Sequence, residues 1–361
     1  MQKVLIVEPH NYHYEVLPGV VHYFYELGYE IYLLVRDKAQ IDDAFINVPY
    51  KDSIHVDVYC NDELRSRLKD SSIEEFTFIF FNSLEYFHGE DKDRLLDYLG
   101  YVPHTKCGIM GIYHNPDMIT DADIPLIEEN RIFTLSSCSY KNYKLPILSA
   151  FYFGEIKKKE EISKKRKALF IGESNDRVKV ERTIGEWIKR YKNSNIEIGY
   201  IGACNQKKEL LSRMFHTLKG NADIRGWRHI IKYGRLSFYQ MYKYIGESDF
   251  LLFYPNLAGG GKAFLHGKTS GTKQLSIGFL KPCILHEDIA IAFGIPLDAC
   301  VTFRKTLEEA MRKIDEMKED DYKLMVGNLE TYREAALKES RNNLEHSIIL
   351  CKKGKEYDVQ P

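Results

Sequence analysis

The stretch of this chain richest in chemically useful residues is Gly259-Gly260-Gly261-Lys262-Ala263-Phe264-Leu265-His266-Gly267-Lys268-Thr269, followed at once by Ser270-Gly271-Thr272-Lys273. Small residues allow a backbone to approach a ligand closely, and Lys262, Lys268 and Lys273 supply positive charge. The likeness to a nucleotide-binding P-loop is incomplete. The Walker pattern has four residues between its first glycine and Gly-Lys-Thr, whereas Gly261 leaves five and is followed by a lysine. No clear downstream strand ends in a metal-binding Asp. The pattern does predict a helix opening at Ser270–Thr272. Its unpaired N–H groups and positive dipole end would hold an anion such as a diphosphate, with a lysine neutralising charge. An ordinary Ser/Thr cap on a surface loop explains the same residues.

Two other chemistries are disfavoured. After the first apolar run, Lys3 to Val7, the chain reads Glu8-Pro9-His10-Asn11-Tyr12-His13-Tyr14-Glu15, without the Gly-x-Gly-x-x-Gly that brings a backbone against a dinucleotide pyrophosphate. The seven cysteines (60, 107, 138, 204, 283, 300 and 351) are odd in number, scattered, and lack Cys-x-x-Cys spacing, so neither a disulfide framework nor a zinc site is indicated. Cys138 has no nearby His to activate it, and all seven read as buried thiols.

The elements that must position these residues alternate from the start of the chain. Lys3–Val7, Glu30–Val35, His55–Tyr59, Phe76–Phe81 and Cys107–Ile112 read as buried strands separated by amphipathic segments, the signature of βαβ units with a parallel sheet. The first such helix begins near Pro18 and stops at Gly28. Lys157 to Lys167, with two internal glutamates, is too charged for a core and reads as a solvated linker rather than a lipid-binding tract. The pattern then restarts with strands at Ala168–Ile171, Ile196–Ile201, Asp249–Phe253, Pro282–Leu285 and Cys300–Phe303. Helices lie between at Val178–Tyr191, Gln206–Leu218, Ser237–Gly246, Thr272–Gly278 and Thr306–Lys318. The expected organisation is α/β: two Rossmann-like domains, at 1–156 and 168–320, joined by the charged linker 157–167. A helix within 321–361, charged on most faces, packs back toward the N-terminal domain.

Composition narrows the function. With 361 residues, 44% apolar and 29% charged, the chain can bury two cores, and 51 basic against 52 acidic residues give a formal charge of −1 that does not suit a dedicated DNA binder. Met1-Gln2-Lys3 runs straight into a strand without a signal-peptide apolar region, and no apolar run approaches the ~18 residues of a membrane span. A cytoplasmic location is expected.

Several segments together resemble glycosyltransferases of the GT-B fold. They are the glycine-free first loop with Leu27-Gly28-Tyr29-Glu30-Ile31, then Gly172-Glu173-Ser174-Asn175-Asp176-Arg177 after a strand, Gly226 before a helix, and Ser248-Asp249-Phe250-Leu251-Leu252. Ser270-Gly271-Thr272-Lys273, opening a helix that ends in Gly278-Phe279-Leu280-Lys281-Pro282, completes the set. The resemblance spans nearly the whole chain and implies parallel sheets facing a cleft. A nucleotide-sugar donor would bind the C-terminal domain, a saccharide or lipid-linked acceptor would lie against the N-terminal one, and no metal or other cofactor is required. It departs from many retaining members, which carry two glutamates eight positions apart here; Leu275 stands where the second is expected.

The resemblance also assigns roles. Arg177 and Lys273, then Lys262 and Lys268, would stabilise the leaving diphosphate with Gly172, Ser270, Gly271 and Thr272, while Glu287 would accept hydrogen bonds from sugar or ribose hydroxyls. His13, His10 and His114 are the catalytic candidates, with Glu15 beside them, because each follows a strand end where a base would meet an acceptor hydroxyl. The implied activity is glycosyl transfer in polysaccharide or glycoconjugate biosynthesis. A sugar-nucleotide epimerase of the same architecture, or a non-catalytic nucleotide- or glycan-binding member, are the alternatives. A lipid-linked acceptor would bring the protein to the inner face of the cell membrane as a peripheral contact. No nucleic-acid partner is implied.

Overall fold

Runs of β-branched, aliphatic and aromatic residues, bounded by turn formers, build two sheets. The computed structural model describes residues 1–60, 63–69, 71–88, 91–99, 108–172, 183, 185–187, 190–191, 194–202 and 230–357. In chain order the strands are β1 (Lys3–Val7), β2 (Glu30–Val35), β3 (His55–Val58), β4 (Phe78–Phe81), the hairpin β5 (Glu85–His88) and β6 (Asp91–Arg94), β7 (Gly108–Tyr113) and β8 (Ile132–Thr134). A small hairpin of β9 (Ser139–Tyr140) and β10 (Tyr143–Lys144) follows. The second series is β11 (Arg166–Ile171), β12 (Ile196–Ile201), β13 (Ile230–Gly234), β14 (Phe250–Leu252), β15 (Cys283–His286) and β16 (Val301–Phe303).

The first sheet has the order β3-β2-β1-β4-β7-β8 and the second β13-β12-β11-β14-β15-β16, with every neighbouring pair parallel. Counted along the chain, both are the doubly wound order 3-2-1-4-5-6. In that order the winding reverses between the first and fourth strands, opening a crevice at their carboxyl ends. The α/β class and the two parallel Rossmann-like sheets read from the sequence are therefore present. All four residues of β4 are buried, as befits a strand covered on both faces. It starts at Phe78 rather than Phe76 because the Phe76 N–H is used by Ile73 O, closing the 3₁₀ turn Ser71–Glu75. β8 and β13, which the apolar pattern does not mark, are edge strands of three and five residues.

By packing, the chain divides into two compact units. The first comprises Met1–Ile156, Ala263–Gln274 and the chain from Arg333 onward; the second comprises Lys157–Lys262 and Leu275–Tyr332. Residues 263–274, read from the sequence as part of the second domain, group with the first sheet. The helix Glu319–Tyr357 contributes residues to both units. In the first, Ser340 Oγ accepts from Ser149 N at 2.8 Å, Asn343 Nδ2 donates to Ile147 O at 2.9 Å, and Ser347 Oγ donates to Asn130 O.

The charged run expected to be solvated is partly held in the second unit. Asp249, fully buried just before β14, accepts from Ser163 N and Oγ at 3.0 Å and from Lys167 N at 2.7 Å, and pairs with Lys159 Nζ at 2.7 Å. Arg166 and Lys167 open β11 itself, and Arg166 reaches Met317 O. A buried carboxylate that accepts backbone donors makes a charged approach segment compatible with a strand. Replacing Asp249 by Ala leaves those donors unpaired and should cost the second unit on the order of 3 kcal/mol. Urea denaturation followed by far-UV circular dichroism measures it, and a loss under about 1 kcal/mol would show that solvent replaces the carboxylate.

Candidate functional site

Four parallel strands of the first sheet end on the same side, and their following loops carry its polar residues. β1 leads into Glu8–His13, β4 into Asn82–Glu85, β7 into His114–Asn115 and β8 into Leu135–Ser136. Glu8 is wholly buried and ties the first two loops together: its carboxylate accepts from Asn82 Nδ2, from His10 N at 2.9 Å and from Ser83 Oγ at 3.4 Å. Burial raises its pKa well above the ordinary carboxylate value. Asn82 Nδ2 also reaches His13 O at 3.3 Å, supporting His13 in the left-handed region at φ 70°. A non-glycine residue there costs ~1–3 kcal/mol unless its surroundings hold it, as this network does.

The three histidines read from the sequence come together, each with its tautomer set by its partner. Nε2 of His10 donates to Glu85 O and Nε2 of His114 to Asn82 O, both at 2.7 Å, because a carbonyl only accepts. Ser83 Oγ donates to Glu8, so it accepts from Nδ1 of His13 at 3.0 Å. The rings of His13 and His114 stack 3.8 Å apart at 7°. Burial lowers His10 and His114 to about 4 and pushes His13 well below its usual value, helped by its histidine neighbours and Lys268. All three are neutral at physiological pH.

A cavity of about 320 Å³ opens at these strand ends within the first unit. His13 and His114 line it and His10 does not. One wall carries Glu85, fully buried, whose Oε1 accepts from Asn115 N at 2.5 Å and whose Oε2 has no partner among the described residues. Desolvation lifts Glu85 to about 7, against the pull of the Asn115 N–H and of Lys268. Glu15, also raised by burial, lies opposite the start of the helix Gly271–Gly278: its Oε1 is 3.2 Å from the position a Cβ on Gly271 would take. Lys268, Thr269, Gly271 and Gln274 complete this side.

The remaining expected residues are distributed as follows. Lys273 is buried, donating Nζ to Ser136 Oγ at 2.8 Å and Leu135 O at 3.2 Å and lying over the Phe151 ring; desolvation lowers it to about 7. Ser270 caps the helix by accepting from Thr272 N at 3.1 Å. Lys262 is exposed in the 3₁₀ turn Gly260–His266, the form taken by the near-miss P-loop. Gly172 follows β11 at φ 108°, with open space where a side chain would stand. Glu287 is gripped by Arg304 through two hydrogen bonds of 2.6 and 2.7 Å. Arg177 lies outside the described residues. Sequence reasoning missed Glu85, Asn115 and Gln274 as site residues. Their one available signal was position: Glu85 stands four residues past β4, and Asn115 two past β7, where the reading singled out only histidines.

No sequence-family model and no characterised protein sequence matches this chain; similarity appears at the level of three-dimensional structure. HepE of Anabaena, solved with UDP and glucose, matches with a TM-score of 0.56 at 10% identity, covering 96% of this chain and 99% of that one. AviGT4, a glycosyltransferase involved in avilamycin A biosynthesis, matches at 0.55 and 11%, covering 95% and 98%. A mutant O-GlcNAc transferase of Thermobaculum terrenum matches at 0.54 and 11%, covering 98% and 69%. The chain shares the GT-B type of fold with these structures.

The titration of Glu85 gives a signed prediction. Its native pKa of about 7 lies above the ordinary 4.5, so the folded protein binds the extra proton between those values and this contribution to stability falls as pH rises through that window. His10 and His114, lowered to about 4 from 6.5, act in the opposite sense. The stability of wild type relative to Glu85→Gln should therefore drop by on the order of 3 kcal/mol between pH 4.5 and 7. Urea titrations at four pH values measure it, and a constant difference would mean that the carboxyl is solvated.

Proposed function

We propose that this protein is a glycosyltransferase that moves a sugar from a nucleotide-sugar donor to a saccharide or lipid-linked saccharide acceptor, in polysaccharide or glycoconjugate assembly. The observation that carries this assignment is the Glu85 cavity at the winding reversal of the first sheet, in a chain with the fold of glycosyltransferases along its length. HepE, with its bound UDP and glucose, supports a nucleotide-sugar donor.

In the proposed reaction an acceptor hydroxyl oxygen bonds to the anomeric carbon of the donor sugar, and the bond from that carbon to the diphosphate oxygen breaks. The hydroxyl proton passes to Oε2 of Glu85, which has no internal partner and a pKa of about 7, near that favoured for a general base at neutral pH. His10 and His114, at about 4, are weaker bases than Glu85. The stacked His13 and His114 offer neutral hydrogen-bonding edges to the sugar. The diphosphate leaves with the bonding electrons as negative charge, and Lys268 at the cavity supplies the positive charge that answers it, without a metal. Lys273, already bonded to Leu135 and Ser136, acts by holding the segment that carries Lys268, Ser270, Gly271 and Thr272. Among the described residues no helix is long and apolar enough to cross a membrane; a lipid-linked acceptor is proposed to be met by peripheral contact at the cytoplasmic membrane face.

A panel of UDP, GDP and CMP compounds tests the donor side, since a ligand at 100 times its Kd adds about 2.7 kcal/mol of stability and raises Tm. Glu85→Gln should keep that rise while losing about 10²- to 10⁴-fold in kcat, the range for a general base, and should lose the acid limb near pH 7. Wild-type kcat in Glu85→Gln would remove the proposed base; no response to any nucleotide would remove the donor.

A further inference from the structure

The cavity wall is unbalanced in hydrogen-bonding sense. Oε2 of Glu85, Oδ1 of Asn115 and Oε1 of Gln274 are buried acceptors with no donor among the described residues, and Glu85 and Gln274 are fully buried. None is idle through misplacement. Oε1 of Glu85 is engaged by Asn115 N, and Nε2 of Gln274 donates to Thr269 Oγ1 at 3.1 Å, so in these two residues the free atom is the one left over after its neighbour has been used. Glu15 adds a second carboxyl, and Lys268 is the one lysine or arginine among the lining residues. Unpaired buried acceptors are costly unless something brings them protons, and among the described residues nothing does.

We propose that this cavity is the acceptor-sugar subsite and that it takes a single uncharged, hydroxyl-bearing sugar ring, discriminating against acidic sugars; the assignment to the acceptor rests on the glycosyltransferase reading. A sugar ring presents several O–H donors around its edge, matching three acceptors converging from the loops after β4 and β7 and from the helix Gly271–Gly278. The volume, about 320 Å³, lies at the small end of ligand pockets, suited to one ring rather than to a longer glycan segment. A uronic acid or sugar phosphate would bring its negative charge against Glu85 and Glu15 with Lys268 alone to answer them, a like-charge juxtaposition that interfaces use for rejection.

The test uses the full-length protein, titrated by saturation-transfer NMR with the methyl glycosides of glucose, galactose and mannose, and with glucuronate and glucose 6-phosphate. Each titration is run with and without UDP. At least one neutral glycoside should bind roughly tenfold or more tightly than both anions. Gln274→Met and Asn115→Ser should each weaken that glycoside roughly 5- to 100-fold, the loss of one hydrogen bond. The UDP-induced rise in Tm, measured on the same samples, shows that each variant is folded. Glucuronate or glucose 6-phosphate matching or outcompeting every neutral glycoside overturns the proposal, and so does neutral-glycoside binding indifferent to both variants. UDP binding with no glycoside binding removes the subsite and leaves the transferase; glycoside binding without any nucleotide response keeps a neutral-sugar site and removes the transferase.

Discussion

The first unit depends on one buried carboxylate. Glu8 stands at the end of β1, where the winding of the sheet reverses, and accepts from Asn82, Ser83 and the backbone of His10, while its own carbonyl accepts from Tyr59 Oη at 3.2 Å. A carboxyl out of water costs several kcal/mol unless donors surround it, so the loops after β1 and β4 are held in the arrangement that supplies them. The consequences reach the site directly. With the β4 loop fixed, Asn82 O receives His114 and Glu85 O receives His10, and the hydroxyl of Ser83 orients His13. The imidazoles are thus committed as neutral hydrogen-bonding groups, and the titratable function near neutrality passes to Glu85.

A second constraint comes from far along the chain. Residues 263–274 belong to the first unit, and the buried ammonium of Lys273 is the strongest polar tie among them, satisfying Leu135 O and Ser136 Oγ beyond β8. Gly267, at φ 97°, allows the segment to pass against Cys138, whose Sγ would lie 3.2 Å from any added Cβ. This docking brings Gln274 and Lys268 to the cavity. The helix start that offers positive dipole to an anion is faced by Glu15 instead, so this end of the helix is already electrostatically answered from within the first unit.

What could be read from sequence, and what could not, divides along the range of the interactions. Buried parallel strands announce themselves by continuous apolar runs, and the histidines were legible because each follows such a run. The cap at Ser270 was legible because capping is local. Lys273 was visible as a cation at a helix start, but its partners Leu135 and Ser136 are 138 and 137 residues away and no spacing rule reaches them. Glu287 was visible as an acidic helix start, and Arg304, seventeen positions on, holds it only because β15 and β16 are neighbours. Glu85 was hidden for a different reason. Asn-Ser-Leu-Glu-Tyr reads as an ordinary turn into a hairpin, and only the β4–β7 pairing reveals that its carboxyl is sealed against His114 and Asn115.

These two constraints together give the cavity its chemical character. Burial acts in opposite directions on its buried acid and its buried imidazole, lifting Glu85 to about 7 and dropping His114 to about 4. The separation sets Glu85 near neutrality, while its histidine neighbours stay uncharged and hold position. A pocket built in this way can exchange a proton with a bound hydroxyl without changing the charge of the groups that orient it. The same burial leaves Oε2 of Glu85 unpaired beside Asn115 and Gln274 acceptors, so the atom that would take the proton is also one that selects for a ligand able to give it.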